Sequence, residues 1–444
     1  MSGMKGNIVL ALAVAAAVAA PSAFATYGYF SHGYGMKAKG MAGASTALAE
    51  DTFGGANNPA SMVWVGDRLD LGIDWFSPIR NAERSGSANG IDGSEKSKSD
   101  DFFIPEFGYN KMLGPDMSFG VTVYGNGGMN TNYPGGTIST PTGRGLCNFF
   151  QTGTLGPGKS SYNLLCGDGN VGVDLAQLVI APTLAFKLNA SNSVGISPLL
   201  GYQRFKAEGL QGFVGLSNDS SNLTNNGYDT STGFGARIGW QGKVSNMVTL
   251  GAAYSSKINM KKFKKYQGLF AEAGDFDMPA NWSVGMAVKA APKSTVTLDY
   301  QKIEYSGIKA VNNSSGNALT GALLGEDGGP GFGWKDIKVW KLGYEFQLSS
   351  ATTLRAGYGR TDNPIGSSDV TFNILAPGVV QNHITLGFTT AVDKSSELTM
   401  AYMHAAENKV SGSSLFTSLG AGPSGNEEIK MYQNSLGIAW GKKW

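Results

Sequence analysis

The stretch Tyr432–Trp444 reads YQNSLGIAWGKKW, and its side chains alternate in character from one position to the next. The bulky apolar residues are Tyr432, Leu436, Ile438, Trp440 and Trp444. The small or polar residues between them are Gln433, Ser435, Gly437, Ala439 and Gly441. Because successive side chains of a β-strand point to opposite faces, this stretch predicts a strand with one bulky apolar face and one small, polar face.

The same alternation returns along the chain after residue 67. Trp340, Leu342 and Tyr344, for example, alternate with Lys341 and Glu345. An even number of antiparallel strands is typical of single-chain barrels in bacterial outer membranes. Counting every such segment predicts fourteen strands, near residues 68–79, 101–113, 116–126, 173–189, 192–206, 231–243, 247–260, 279–290, 293–306, 335–348, 351–362, 380–392, 395–408 and 430–443.

The connections between these segments alternate in length. Seven are long and rich in Gly, Ser and Asn, and six are tight turns at residues 113–116, 189–192, 243–247, 290–293, 348–351 and 392–395. Short turns on one side of a sheet and long loops on the other are the pattern of outer-membrane barrels. The fold class we predict is therefore all-β: a 14-stranded antiparallel transmembrane β-barrel with an N-terminal hatch, or plug, inside the lumen.

The composition favours a membrane barrel over other classes. Glycine accounts for 64 of the 444 residues, and only 15% of residues are charged, whereas soluble domains carry about 25% charged residues. A formal net charge of +2 gives no reason to expect a nucleic-acid partner. The sequence has no G-x-S-x-G, H-E-x-x-H or P-loop motif, and its three histidines are scattered, so we expect no enzyme, metal or other cofactor.

The first 25 residues have the anatomy of a secretory signal peptide. Lys5 precedes an apolar run at residues 8–20, and residues 23–25 fit a cleavage site. The segment that follows is rich in small residues, which suits close packing inside a lumen. We therefore divide the chain into a signal peptide (1–25), an N-terminal hatch (26–66) and the transmembrane barrel (67–444).

Two cysteines, Cys147 and Cys166, lie in one of the long connections. An even number of cysteines in an exported chain predicts a disulfide. A bridge between them would contribute on the order of 3 kcal/mol in a chain-entropy model. Two free thiols are the alternative.

Four short motifs, taken together, carry a resemblance to a known protein family. They are Glu50-Asp51, Asn58-Pro59-Ala60, Met278-Pro279-Ala280-Asn281-Trp282 and Trp340-Lys341-Leu342-Gly343-Tyr344-Glu345. In this order and spacing, over essentially the whole chain after the signal, the sequence resembles the FadL family of outer-membrane long-chain fatty acid transporters, which includes aromatic-hydrocarbon channels. One departure is the final residue, Trp444, where barrels of this type usually end in Phe.

The resemblance implies a barrel closed by an N-terminal hatch, in which Asn58, Pro59 and Ala60 form a fixed turn. Hydrophobic ligands would enter from an extracellular groove, reach an internal pocket and leave sideways where the third strand is kinked. Our third strand ends in a segment that contains Gly125, Gly127 and Gly128, and glycine inside a strand marks bulges and bends. The alternative for these glycines is the ordinary start of the next loop.

Two long connections carry apolar side chains where a porin would carry charge. They are Phe149, Phe150, Leu155, Leu164 and Leu165 in one, and Leu269 and Phe270 in the other. Because exposed apolar clusters often mark binding sites, we predict that these residues capture substrate. Packing of the loops on each other is the alternative.

A carboxylate ligand would need a cation, and Arg204 and Arg237 are the candidates. The resemblance points to Arg204, whereas strand alternation turns Arg204 outward and Arg237 toward the lumen. Pairing with carboxylates of the wall or hatch is the alternative role for a lumenal arginine. The lysines within residues 261–265 would lie at the extracellular rim, either solvated or near lipopolysaccharide phosphates.

We therefore predict an outer-membrane channel for passive uptake of hydrophobic compounds, with long-chain fatty acids as the first expectation and lateral exit through the barrel wall. Aromatic hydrocarbons or alkanes are the alternative substrates, and an adhesion or structural barrel is the alternative of another class. The expected partners are the substrate, outer-membrane lipids with lipopolysaccharide, and the barrel assembly machinery, which would recognise the C-terminal strand. We expect a monomer.

Overall fold

The computed structural model describes residues 27–48 and 50–444, so the predicted signal peptide lies outside the described residues. Fourteen strands line up in one sheet. In chain order they are β1 (Arg68–Ser87), β2 (Phe102–Met112), β3 (Met117–Asn130), β4 (Gly172–Lys187), β5 (Asn192–Glu208), β6 (Asp229–Lys243), β7 (Val248–Ser255), β8 (Asn281–Ala291), β9 (Ser294–Ile303), β10 (Ile337–Gln347), β11 (Thr352–Thr361), β12 (Asn382–Ala391), β13 (Ser396–Ser413) and β14 (Ser424–Lys443).

The sheet closes on itself. Each of these strands pairs antiparallel with the next, and β14 pairs with β1. At this seam Ile73 lies opposite Ile438, and Trp75 lies opposite Leu436. Closure suits a membrane because lipid cannot bond to the backbone groups of a free sheet edge. The predicted fourteen-stranded barrel is confirmed.

The alternation of side chains separates an apolar outer face from a polar lumen. Leu71, Ile73 and Ile238 are 38%, 43% and 53% exposed on the outside of the wall. Their strand neighbours Asp70 and Asp74 are buried inside. This arrangement is the reverse of a soluble protein and matches a barrel surrounded by lipid.

The two ends of the barrel differ as the sequence predicts. The tight turns join β2 to β3, β4 to β5, β6 to β7, β8 to β9, β10 to β11 and β12 to β13, all at one end. The seven long connections lie at the other end. By the rule for outer-membrane barrels, the end with tight turns faces the periplasm and the end with long connections faces outward.

The largest departures from the predicted strand bounds are extensions of three neighbouring strands, β1, β13 and β14. β1 continues to Ser87, β13 continues to Ser413 and β14 begins at Ser424, because their extracellular ends pair with one another. In this extension Arg84 lies opposite Glu427, and their charged groups meet at 2.5 Å with both side chains buried. Polar pairs of this kind extend a sheet without the apolar alternation on which the prediction rested.

The strand predicted at 247–260 is interrupted. β7 ends at Ser255, and a short strand, Asn259–Met260, pairs with β6. Another short strand, Gly93–Lys96, pairs with β1. No helix in the described ranges is both long and apolar enough to cross a membrane.

Helical segments fill the hatch and the long connections. The α-helical ones are α1 (Met36–Lys39), α2 (Pro141–Thr152), α3 (Ala271–Gly274), α4 (Lys309–Asn312) and α5 (Val370–Asn373). One short segment is a π-helix, Thr417–Ala421. The short 3₁₀ helices are Thr52–Gly55, Pro59–Trp64, Gln211–Leu216, Ser220–Asn222, Lys264–Tyr266, Tyr305–Gly307, Ser315–Thr320 and Ser367–Asp369.

Candidate functional site

The segment of residues 27–48 and 50–66, called the hatch below, fills the periplasmic half of the lumen, and most of its residues are buried. Its backbone bonds to the wall: the N–H groups of Ser45 and Thr46 donate to Asp299 at 2.9 and 2.8 Å. The close approach depends on small wall residues. A Cβ would lie under 3.0 Å from a hatch atom at Gly108, Gly195, Gly251, Gly343, Gly387 and Gly437. The high glycine content of the chain thus follows in part from the fit between wall and hatch.

Buried ion pairs join the hatch to the wall. Lys39 Nζ lies 2.8 Å from the carboxylate of Asp74 and 3.4 Å from that of Glu106, with all three side chains buried. Lys37 lies 2.7 Å from Glu397. Removing one partner from a buried pair is costly because it leaves an uncompensated charge. These contacts therefore hold the hatch in one position.

A second cluster surrounds Arg355 of β11. Its guanidinium lies 2.7 Å from both Glu50 of the hatch and Glu345 of β10. Burial alone would raise the pKa of Glu50, but Arg355 and Lys37 lower it to about 2. At the neighbouring Asp51, burial together with Asp70 outweighs the opposing effect of Lys37 and Arg68 and raises the pKa to about 7. Adjacent hatch carboxyls are therefore in opposite electrostatic environments.

The Asn58-Pro59-Ala60 motif attaches the hatch to β5 and β6. The Asn58 side-chain nitrogen donates to the carbonyls of Thr46 at 2.8 Å and Trp240 at 2.9 Å, and its oxygen accepts from the Ala60 N–H at 3.1 Å. Pro59 is the first residue of a helical turn and packs against Gly239. The motif is both a helix cap and an anchor to the wall.

Above the hatch the interior is aromatic. Ring centroids 4.7–6.3 Å apart form a continuous chain from the loops down to the first hatch residues. Its members are Phe205, Phe270, Phe276, Tyr29, Tyr305 and Trp334. Aromatic contacts of this kind provide an apolar, well-packed surface.

A narrow cavity opens beside this chain, under the extracellular loops. It is lined by Val173, Phe205, Leu210, Phe213, Leu223, Leu269, Phe270, Ala310, Leu324, Pro330, Gly331, Phe332, Phe372 and Leu375. None of the lining residues is charged. An apolar cavity of this kind accepts uncharged apolar groups and penalises a bare charge.

Two of the predicted apolar residues, Leu269 and Phe270, line the cavity. Phe150 instead packs on Phe416, with ring centroids 4.9 Å apart. Phe149 and Leu155 lie on the outer surface of their loop, 42% and 73% exposed. The alternative considered from sequence, loop packing, thus describes Phe150 better than contact with this cavity does.

The disulfide-containing loop packs on itself. Cys147, in α2, is bonded to Cys166. Leu164 and Leu165, next to Cys166, are fully buried in the loop interior and are absent from the cavity lining. The bridge and these leucines therefore shape the cover over the barrel.

The two candidate arginines have different surroundings. Arg204 lies on the outer side of β5, with its guanidinium carbon 5.0 Å from the centre of the Tyr228 ring, so it does not reach the lumen. Arg237 is buried inside and donates to the Gly55 carbonyl and the Ser255 hydroxyl, both at 2.6 Å. Strand alternation gave the correct side for both residues, and Arg237 serves to hold the hatch.

The wall is incomplete between β2 and β3. β3 pairs with β2 only as far as Val123, and the remainder, Tyr124–Asn130, pairs with β4. A register shift between Gly125 and Gly127 makes a bulge there. As a result, Phe102–Glu106 of β2 has no partner on the β3 side among the described strands.

The first residues of the hatch lie against this gap. The Gly128 N–H donates to the Tyr29 carbonyl, and the Ser31 N–H donates to the Asn126 carbonyl, both at 3.2 Å. A Cβ on Gly127 would lie 2.2 Å from the Tyr29 oxygen, so only glycine fits. The aromatic chain therefore ends where the wall is open.

Sequence reasoning missed Tyr29, Tyr305 and Trp334, which connect the cavity to the gap. Tyr305 donates to the Tyr27 carbonyl at 2.8 Å across 278 positions of sequence. No local sequence pattern predicts a contact between residues so far apart in the chain. No cluster of three or more metal-ligating side chains occurs in the ranges that the structure describes.

A fourteen-stranded barrel with a polar plug and an apolar cavity above it defines an outer-membrane channel for hydrophobic molecules. Residues 161–425, well over half of the chain, match the model of the outer membrane protein transport protein family, OMPP1/FadL/TodX. The chain belongs to this family, as the sequence resemblance predicted. It is a transport family of the bacterial outer membrane, and the chain is a channel for hydrophobic substrates.

Solved structures share the fold. The toluene transporter TodX of Pseudomonas putida is 18% identical, with a TM-score of 0.67 over 93% of this chain and 99% of that one. The toluene transporter TbuX of Ralstonia pickettii is 17% identical, with a TM-score of 0.61 over 93% and 99%. A FadL homologue of Pseudomonas aeruginosa is 13% identical, with a TM-score of 0.64 over 94% and 99%. No curated protein matches the chain in sequence.

Proposed function

We propose that the channel takes up small uncharged hydrophobic molecules, such as monoaromatic hydrocarbons, by passive transfer into the outer membrane. The observation that carries this proposal is the apolar cavity, whose lining has no charged residue. Toluene is the substrate named for two structures of the same fold, TodX and TbuX, although their identity to this chain is low. The sequence alone favoured long-chain fatty acids.

A fatty acid is less well matched to this cavity. Its carboxylate would lose hydration without gaining a cation, which costs several kcal/mol. Arg237 is committed to the hatch, and the Lys341 ammonium lies over the Tyr27 ring in a separate, polar space. A neutral aromatic ring has no charge whose hydration is lost. Its transfer into the cavity is favourable by about 25 cal/mol for each Å² of apolar surface removed from water.

The route that we propose runs along the aromatic chain to Tyr29 and leaves through the gap between β2 and β3. An exit into lipid keeps the free energy gained by leaving water, whereas an exit into the periplasm would return it. The ion pairs of Lys39 and Arg355 support this direction because they obstruct the lower lumen.

The experiment compares uptake of labelled toluene and labelled oleate by cells that lack other such channels. Wild-type protein should accelerate toluene uptake and leave oleate uptake at the background of those cells. Leu269→Arg places a cation at the cavity and should abolish toluene uptake, and Leu269→Met, which keeps an apolar side chain of similar volume, should not. Faster oleate uptake than toluene uptake by the wild type would overturn the proposed substrate class.

A further inference from the structure

The outer face of β5 changes character abruptly near its extracellular end. Its outward residues below that point form an apolar row: Val194, Ile196, Pro198, Leu200 and Tyr202. The next outward residues are Arg204 and Lys206. Ile196 and Leu200 are 46% and 45% exposed, as expected for contact with acyl chains. The two cations therefore lie at the level where the hydrocarbon gives way to lipid headgroups.

A tyrosine organises these cations. The Tyr228 ring is 5.0 Å from the Arg204 guanidinium carbon and 5.4 Å from the Lys206 ammonium. The Lys265 ammonium donates a hydrogen bond to the Tyr228 carbonyl at 2.8 Å. Lys261, which is exposed, lies on the same rim, and its backbone N–H donates to the Thr232 carbonyl of β6 at 3.0 Å. We call Arg204, Lys206, Lys261, Lys265 and Tyr228 the Tyr228 cluster.

The charge of the cluster is not balanced by its surroundings. Lys206 pairs with Glu208 at 3.0 Å, but Arg204, Lys261 and Lys265 have no ion-pair partner in the part of the chain that the structure describes. Asp174 accepts from the Tyr228 hydroxyl, and Asp229 accepts from the Lys265 N–H. The exposed Lys262 and Lys264 add two further cations to the same rim. A concentrated excess of positive charge remains, facing the outer leaflet.

We propose that the Tyr228 cluster binds the phosphorylated glucosamine headgroup of lipid A, the membrane anchor of lipopolysaccharide. Arg and Lys bind phosphate oxygens through charge-assisted hydrogen bonds, and groups of basic residues at a membrane surface recognise anionic lipid headgroups. The apolar row beneath the cations receives the acyl chains. The outward position of Arg204, which removes it from the substrate route, places it correctly for this ligand.

The experiment is native mass spectrometry of the detergent-purified full chain titrated with purified lipid A. Because each basic residue near the surface adds to the attraction for an anionic headgroup, Arg204→Gln/Lys206→Gln/Lys261→Gln/Lys265→Gln should weaken binding at least about tenfold. The matched control is Lys289→Gln/Lys293→Gln, which removes two exposed charges at the periplasmic end and should leave lipid A binding unchanged. A change of electrophoretic mobility on heating verifies that each variant is folded.

If the quadruple variant fails to assemble, Lys261→Gln/Lys265→Gln decides the matter, because both residues lie outside the fourteen barrel strands. It should weaken binding by roughly threefold or more. Dephosphorylated lipid A should bind no better than it does to the quadruple variant. Equal binding of phosphorylated and dephosphorylated lipid A, of phosphatidylglycerol and lipid A, or of variant and wild type would overturn the proposal.

Discussion

The two halves of the lumen have opposite chemistry. In the periplasmic half, the hatch meets the wall through buried charges, with Lys39 between Asp74 and Glu106 and Arg355 beside Glu50. In the extracellular half, Phe270, Phe276 and their neighbours form an apolar interior. An apolar solute gains free energy in the upper half and would have to separate paired charges to continue downward. One barrel can therefore admit a hydrophobic solute into its upper half while the charged lower half keeps the axis closed.

The largest effect, an increase in conductance, should come from removing the hatch, which fills the periplasmic half of the lumen. Deleting residues 26–66 takes away the hatch and leaves the lumen of a fourteen-stranded barrel open to water. We expect the single-channel conductance in planar bilayers to rise from near zero to that of an open pore. Conductance equal to that of the full chain would show that the hatch does not close the lumen.

The next largest effect, a loss of substrate uptake, should come from a change at the gap between β2 and β3. Gly127→Val pushes a side chain into the Tyr29 carbonyl, which a Cβ would approach at 2.2 Å. We expect toluene uptake to fall to the background of cells without the channel, because the exit beside β3 is distorted. Gly114→Val is the matched control, since a Cβ there meets nothing within 4 Å. Equal uptake by both variants would argue against this exit.

A smaller effect should follow from breaking one charged contact. Lys39→Met leaves Asp74 and Glu106 buried without their cation and should destabilise the folded protein by about 3–5 kcal/mol. Lys111→Met, which breaks the exposed pair with Asp67, should cost far less, because solvent screens an exposed ion pair. The temperature at which heating changes the electrophoretic mobility measures both. Similar temperatures for the two variants would mean that the lower half is not held by its ion pairs.

The smallest effect is a dependence on pH. The pKa of Asp51 rises from 3.8 to about 7 on folding, so its protonated form is favoured, and stability is lost as the pH rises through about 7. Between pH 6 and pH 8 the loss is about 1.4 kcal/mol, the value of one pKa unit. Asp51→Asn should reduce the loss of stability between pH 6 and pH 8 by about that amount, as measured by hydrogen exchange of the hatch amides at both pH values. An unchanged pH dependence in the variant would assign it to another group.

The barrel could be predicted because the sequence patterns that define it are local. Alternation within a strand and the length of each connection are properties of short stretches, such as Tyr432–Trp444. The sides of Arg204 and Arg237 followed from the same rule. The strand ends at Ser87 and Ser413 were missed because polar residues pair there across strands rather than alternate with apolar ones.

The candidate site could be predicted only in part, because its contacts are long-range. Loop composition pointed to Leu269 and Phe270 but could not separate them from Leu164, which is equally apolar and buried elsewhere. The glycines of β3 indicated the kink. A further signal was present in β2: Pro105 lacks an N–H donor, and proline inside a sheet marks an edge strand.

The contact between Tyr29 and Gly128 has a consequence for biogenesis. Where β2 and β3 separate, the Gly128 N–H of β3 donates to the Tyr29 carbonyl of the N-terminal segment rather than to β2, while β4 stays paired on the other side. Residues 29–31 thus cover a gap in a wall whose strands β2 and β3 are synthesised later. A nascent barrel would present bare peptide groups to lipid until these residues are seated, so insertion into the bilayer and seating of the N-terminus must be timed together.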